Sequence, residues 1–383
     1  MRQRPFSFRV PALTATVFSM LLGGAAASNP AGAQAAKQAV EKAGPHAYNL
    51  TGDFPGTHDP SIIKEGDTWY VFATGRAPNN GGHIPIRCSK DLIAWKQCGS
   101  VFDQLPDWIA NGAGVPRARG LWAPDISYFD GKFHLYYAYS AFGKNTSGIG
   151  LATNVTLDAG RPDYKWVDEG FVLRSVATDD FNAIDPNLAI DKSGQTWLAL
   201  GSFWSGIKLV KIDRKTGKPA ADDPTRYALA TRTKPPNAAP ARPNLPADWE
   251  AVEAPFILPH AGYYYLFVSW DLCCKGAQST YRTMVGRAKK ITGPYLDKTG
   301  KAMSDGGGSE VLVGNDTWVG PGGESVLLGK GGDPDIIVYH AYDAVTGRPA
   351  LQISTLAWKN GWPVAAVQRA TTAAIAAKAG TSP

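Results

Sequence analysis

Sulfur is scarce in this chain of 383 residues, with four cysteines and four methionines. No Cys-x-x-Cys pair and no His/Cys cluster occurs, which excludes the usual zinc-ligand spacings. No Lys/Arg-rich block stands out, so a nucleic-acid partner has no electrostatic footprint. Beyond the first 33 residues, no apolar run is long enough to span a bilayer. Long stretches of 3.6-residue periodicity are missing too, which argues against a helical fold.

What the chain does have is turn formers and aromatics. It holds 42 Gly and 28 Pro, and 11% of its residues are Phe, Trp or Tyr. This mix suits many short strands joined by turns. The N-terminus carries Arg2, Arg4 and Arg9, then the apolar run "PALTATVFSMLLGGAAA", then "AGAQ". That order reads as a signal peptide over 1–33, cleaved after Ala33. A short linker over 34–44 follows. Removing the signal segment lowers the formal charge from +6 to +3. Export permits disulfides, and Cys88 and Cys98 flank what looks like a strand–turn–strand, so a bridge is expected. Cys273 and Cys274 are adjacent, and the sequence leaves open a strained bridge or two packed thiols. The tail over 371–383 has few anchors and is expected to be disordered.

Five aromatic-rich runs look alike: "DTWYVFATG" (67–75), "GKFHLYYAYS" (131–140), "GQTWLALGS" (194–202), "GYYYLFVSW" (262–270) and "DIIVYHAYD" (335–343). Each opens on a turn residue and has strand composition. Each follows an acid within two residues of Pro or Gly: Asp59, Asp125, Asp185, Glu253 and Glu324, spaced by 66, 60, 68 and 71 residues. Five units of roughly 65 residues, each with about four strands, predict an all-β, five-bladed β-propeller over 45–370. A β-sandwich is the alternative. In a propeller the first strand of each blade faces one axis, so the acids can converge. "TKPPNAAPARPNLPADW" (233–249) is too Pro-rich for strands and reads as a rim loop.

An Asp-Pro alone is usually a turn. Acids gathered at an aromatic-lined axis are different, because burial favours their protonated form. Two acids in unlike surroundings separate into a base and an acid, as glycoside hydrolysis needs. Trp122, Phe142 and Trp204 lie close in sequence to these acids and can offer flat faces to sugars.

"HDPSIIKEGDTWYVFATG", "LWAPDI", "YYAYSAFGKNTSGIG", "NAIDPNL", "GSFWSGIKL", "EAPFIL", "YYYLFVSWDLCCKG" and "YHAYD" together resemble the arabinanases of glycoside hydrolase family 43. The resemblance runs over about 50–365. It implies a five-bladed propeller that cleaves α-1,5-linked L-arabinofuranose chains with inversion. It implies Asp59 as general base, Glu253 as general acid, and Asp185 as the residue that orients the acid and raises its pKa. Phe142, Asn182 and Ser202 match substrate-contacting positions, and Trp122 matches a sugar-stacking tryptophan; Trp204 lines the groove or the core. His340 matches a histidine beside a calcium or sodium ion, and no organic cofactor is implied. The chain departs at Gly323–Glu324, where many members carry His-Asn.

The expected protein is thus a secreted glycosidase, in periplasm or medium, acting on arabinan or arabino-oligosaccharides. It is expected as a monomer without membrane or nucleic-acid partners. The alternatives on this fold are an α-L-arabinofuranosidase, a β-xylosidase, or a propeller that only binds polysaccharide.

Overall fold

The computed structural model describes residues 44–75, 82–111, 120–238 and 246–369. The predicted signal segment, nearly all of the linker, the tail and part of the Pro-rich stretch lie outside these residues. The described residues form five mainly antiparallel sheets around one axis, the expected five-bladed β-propeller, and a separate two-stranded hairpin of Ala357–Lys359 and Trp362–Val364. Blade I holds strands Ser61–Glu65, Thr68–Phe72, His83–Ser89 and Ala94–Phe102. Blade II holds Trp122–Phe129, Lys132–Tyr139, Ser147–Asn154 and Val167–Ser175. Blade III holds Asn187–Ile190, Thr196–Leu200, Ile207–Asp213 and Arg226–Ala230, with the short strand Lys218–Pro219 at its edge. Blade IV holds Val252–His260, Tyr263–Trp270, Arg282–Ala288 and Ser309–Leu312, and blade V holds Trp318–Leu327, Ile336–Asp343 and Pro349–Thr355.

The repeated aromatic runs are second strands, buried on both faces. Within Lys132–Tyr139, Tyr136 faces blade III and Tyr137 faces blade I, and both are fully buried. Five apolar clusters result, one in each gap between neighbouring blades. Each such side chain removed from water contributes roughly 1.5–3 kcal/mol. The Cys88–Cys98 disulfide forms as expected and ties the two outer strands of blade I.

Blade V receives its fourth edge from the other end of the chain. The Tyr48 N–H donates to Ile353 O (2.9 Å), the Leu351 N–H to Phe54 O (3.0 Å) and the Gly56 N–H to Pro349 O (2.8 Å). Between these contacts, Thr51–Gly52 pairs with Ala94–Trp95 of blade I. The segment from His46 to Gly56 thus straps blade V to blade I.

Each inner strand closely follows or contains a left-handed residue: Asp59 (φ 50°), Ala123 (40°), Asp185 (54°), Ala254 (52°) and Gly323 (59°). Such a conformation costs a non-glycine residue about 1–2 kcal/mol. Strand register breaks just there in blades II, IV and V, as at β-bulges. These five positions correct the sequence-based alignment of acids. Only Asp59 and Asp185 are equivalent. Glu253 lies one residue before the kink, Glu324 one after, and Asp125 two after. Because the kink turns successive side chains in different directions, acids that look equivalent in sequence point to different places.

Two residues past each kink, side chains stitch the blades together. Ser61 Oγ accepts from the Ile126 N–H (3.1 Å), and Asp125 Oδ2 from the Leu188 N–H (2.7 Å). Asn187 Oδ1 accepts from the Ile257 N–H (2.8 Å), and Ser325 Oγ from the Ile62 N–H (3.1 Å). Phe256, in blade IV, has no polar atom to continue the series.

Candidate active site

Asp59, Asp185 and Glu253 line one cavity of about 320 Å³ at the end of the axis where the inner strands begin. Trp122, Phe142, Asn182, Ser202 and Trp204 line the same cavity, so every predicted acid and sugar-contacting residue meets there. Phe142 is 79% exposed and offers its ring at the rim. Asn182 is buried, and its Oδ1 has no hydrogen-bond partner among the described residues. Phe203 and Trp204 are consecutive left-handed residues (φ 54° and 46°) in the cavity wall. Strain of this kind persists where surrounding structure holds it, often at functional sites. Pro246 and Asp248, from the end of the Pro-rich stretch, also reach the cavity.

The acids differ in their partners. Asp59 Oδ2 accepts from the Thr74 hydroxyl (2.6 Å) and bonds His58 Nδ1 (2.8 Å). Burial alone would raise the Asp59 pKa. The charge and hydrogen bond of His58, with the Thr74 hydrogen bond, override it and hold the carboxyl well below the usual range. Burial also works against protonation of His58, but the Asp59 carboxylate raises its pKa overall. Asp59 is therefore an anion facing the cavity.

Glu253 has the opposite setting. Burial, reinforced by repulsion from Asp59, pushes its carboxyl up to about 7, although the Ser202 hydroxyl donates to its Oε2 at 2.6 Å. Among the described residues, Asp185 accepts a hydrogen bond from the Ala254 N–H at 3.1 Å. Burial and then the Glu253 charge push it well above the usual range. The Asp185–Glu253 pair thus holds a proton near neutral pH while Asp59 holds none. One cavity presents a base and an acid at one pH, as hydrolysis of a glycosidic bond requires.

His340 stands behind this wall, fully buried and stacked on His58 with ring centroids 3.7 Å apart. The Asp59 N–H donates to its Nδ1 (3.1 Å), and burial holds the ring neutral. The ring hydrogen then sits on Nε2, which has no partner among the described residues. A nitrogen bearing hydrogen cannot ligate a metal. Calcium takes six to eight oxygen ligands, and the His58–Asp59–His340 group offers one carboxylate. These residues do not fit a directly ligated hard cation.

Gly323, at the departure from the family pattern, is needed where it stands. A Cβ there would lie 2.7 Å from Asp59 Oδ1 and 2.8 Å from His340 Nδ1. Its neighbour Glu324 is buried between blades IV and V, and its Oε2 accepts from Ser269 (2.9 Å) and Thr283 (3.1 Å). Burial pushes this carboxyl up to about 7. Asp125 accepts the Leu188 N–H and an Asn187 amide hydrogen, and burial pushes it up to about 6.

The sequence reading missed His58, Thr74 and Tyr342. His58 carried a signal, since it directly precedes Asp59. Tyr342 Oη, which bonds His58 Nε2 at 2.7 Å, lies 284 residues away and carried none.

A family model described as "Glycosyl hydrolases family 43" matches residues 55–363. The chain is 46% identical over 308 residues to an extracellular endo-α-(1→5)-L-arabinanase of Bacillus subtilis, covering 80% of this chain and 86% of that one. It is 44% identical over 314 residues to an extracellular exo-α-(1→5)-L-arabinofuranosidase of Cellvibrio japonicus, covering 80% and 85%. Among solved structures, the α-L-arabinanase of Cellvibrio cellulosa complexed with arabinohexaose superposes with a TM-score of 0.75 at 42% identity. That match covers 82% of this chain and 96% of the other.

Proposed function

The chain belongs to glycosyl hydrolases family 43, and from that premise we propose that it cleaves the α-1,5-linked L-arabinofuranose chains of arabinan with inversion. One observation carries the mechanism: Asp59 is held ionised in the cavity where Glu253 is held protonated. Asp59 takes a proton from water as the water oxygen bonds the anomeric carbon. The glycosidic C–O bond breaks on the opposite face, and Glu253 delivers its proton to the departing oxygen. Asp185 orients Glu253 and shares a proton with it as a coupled pair. Trp122, Phe142 and Trp204 stack on furanose faces, while Asn182 supplies a polar contact. Ser202 fixes the Glu253 carboxyl.

Internal cleavage is the leading mode, because the endo-arabinanase of Bacillus subtilis is 46% identical. Exo cleavage is the second reading, favoured by the Cellvibrio japonicus relative at 44%. Chromatography of products from linear arabinan separates them: oligosaccharides mean endo action, and a single small product from the first minutes means exo action. Proton NMR of the first product tests inversion, and a retained anomeric configuration would overturn the roles given to Asp59 and Glu253.

Both of these relatives are named extracellular. Export through residues 1–33 is proposed here on the same footing, and N-terminal sequencing of mature protein at Gln34 tests it. A monomer is proposed, to be checked by light scattering. Any calcium or sodium ion would be held through water that accepts from His340 Nε2–H, and no step above passes through it.

A further inference from the structure

We propose that the Cys273–Cys274 disulfide is a substrate-contacting wall of the groove, and that reducing it weakens sugar binding without removing the catalytic acids. This rests on the arabinan reading above. The two adjacent cysteines are bonded to each other and line the same cavity as Asp59, Asp185 and Glu253. They sit on the blade IV connection between Trp270 and Arg282. That connection leans over the seam between blades V and I. There the Cys274 N–H donates to Tyr342 Oη (2.9 Å), and Cys274 Sγ lies 3.7 Å from His58 Nε2. The Tyr342 hydroxyl in turn bonds His58, and His58 bonds Asp59. Cys274 is exposed and takes a left-handed backbone (φ 66°). The pair is thus presented to the groove and anchored from behind.

The chemistry suits a furanose. A disulfide has no hydrogen to donate and a polarisable, apolar surface, which matches the C–H face of a sugar ring better than its hydroxyls. Bonding two neighbouring residues locks both side chains in one arrangement, so little freedom is lost when sugar binds. Trp122 and Phe142 give the cavity other apolar surfaces, while its carboxylates supply the polar ones. Reduction by a dithiol transfers two electrons and two protons to the S–S bond. The dithiol closes to its own disulfide, and the protein gains two thiols with freely turning side chains.

The test uses the full chain with and without dithiothreitol, with the thiols at 273 and 274 counted by alkylation and mass spectrometry. Arabinohexaose is the substrate. Reduction is expected to raise KM about three- to tenfold, with kcat changed less than twofold, and reoxidation should restore KM. The Cys273→Ala/Cys274→Ala variant should start at the raised KM and ignore the dithiol. Because it keeps Cys88–Cys98, it also controls for reduction there. If that variant fails to fold, the reversible KM change of the natural chain decides alone. An oxidised enzyme that cleaves arabinohexaose with the same KM after verified reduction overturns this inference and leaves the proposed function standing. An oxidised enzyme inert on arabinohexaose overturns both.

Discussion

Asp185 and Asp125 are both buried acids on inner strands, and they do different work. Asp185 occupies the left-handed kink of blade III and faces the cavity and Glu253. Asp125 lies two residues past the kink of blade II, where its carboxylate accepts the Leu188 N–H and an Asn187 amide hydrogen. Burial raises the pKa of both. A perturbed acid at the axis is therefore not evidence of catalysis by itself. Its phase relative to the kink decides whether it meets substrate or a neighbouring blade.

The comparison breaks most sharply at the two acids proposed to react, Asp59 and Glu253. Asp59→Ala and Glu253→Ala should each cost about 10²–10⁴ in kcat with circular dichroism unchanged. An aryl arabinofuranoside with a good leaving group should rescue Glu253→Ala and leave Asp59→Ala slow, because only the former has lost the proton donor. Equal rescue of both would reverse the assignment.

Asp185→Asn should cost about 100-fold in kcat, the scale of a misplaced catalytic group. It should also move the alkaline limb of the pH–rate profile. In the proposed mechanism Glu253 works while protonated, so activity falls as pH rises past the point where the Asp185–Glu253 pair gives up its proton. Asp185→Asn leaves Glu253 to hold the pair's proton alone, with no neighbouring carboxylate left when that proton departs, so the fall should come at lower pH. An unchanged limb in a folded variant would make Asp185 structural, like Asp125.

Asp125→Ala supplies the contrast. It leaves the Leu188 N–H buried without its acceptor, which costs about 1–3 kcal/mol of stability. Thermal melting should register this, while kcat of the folded fraction stays within about twofold. A hundredfold loss of kcat would place Asp125 in the reaction.

The smallest expected effect on activity is at Glu324. Its folded pKa, about 7, exceeds the unfolded value, so its contribution to stability is fully present below about pH 4.5 and is lost as pH rises through 7. Glu324→Gln removes that loss. The variant should gain up to about 3 kcal/mol over the natural protein at pH 8 and nothing at pH 4. Chemical denaturation at the two pH values measures the difference.

Much of this was legible before the fold was known. Strands buried on both faces demand apolar, aromatic runs, so five blades announced themselves. Proline after the kink marked Asp59 and Asp185. The offset of Glu253 and Asp125 was hidden, because a bulge shifts side-chain direction without changing repeat length. The strap at His46–Gly56 was hidden too: "HAYNLTGDFPG" has no strand alternation, and its order comes from blades V and I on either side. Tyr342 and Thr74 reach Asp59 only once the ring has closed.

That strap decides where the molecule comes apart first. It closes the seam across which Asp59, from blade I, rests against His340, from blade V. Its contacts join positions about 300 residues apart in sequence, so the loop they close is nearly the whole chain. Such a closure is the slowest step to assemble and gains little support from local structure. Warming should loosen it while the five sheets remain paired, since each sheet is built mostly from contiguous chain. Activity should then disappear some degrees before the β signal does. A chain joined end to end through this seam would keep the two curves together.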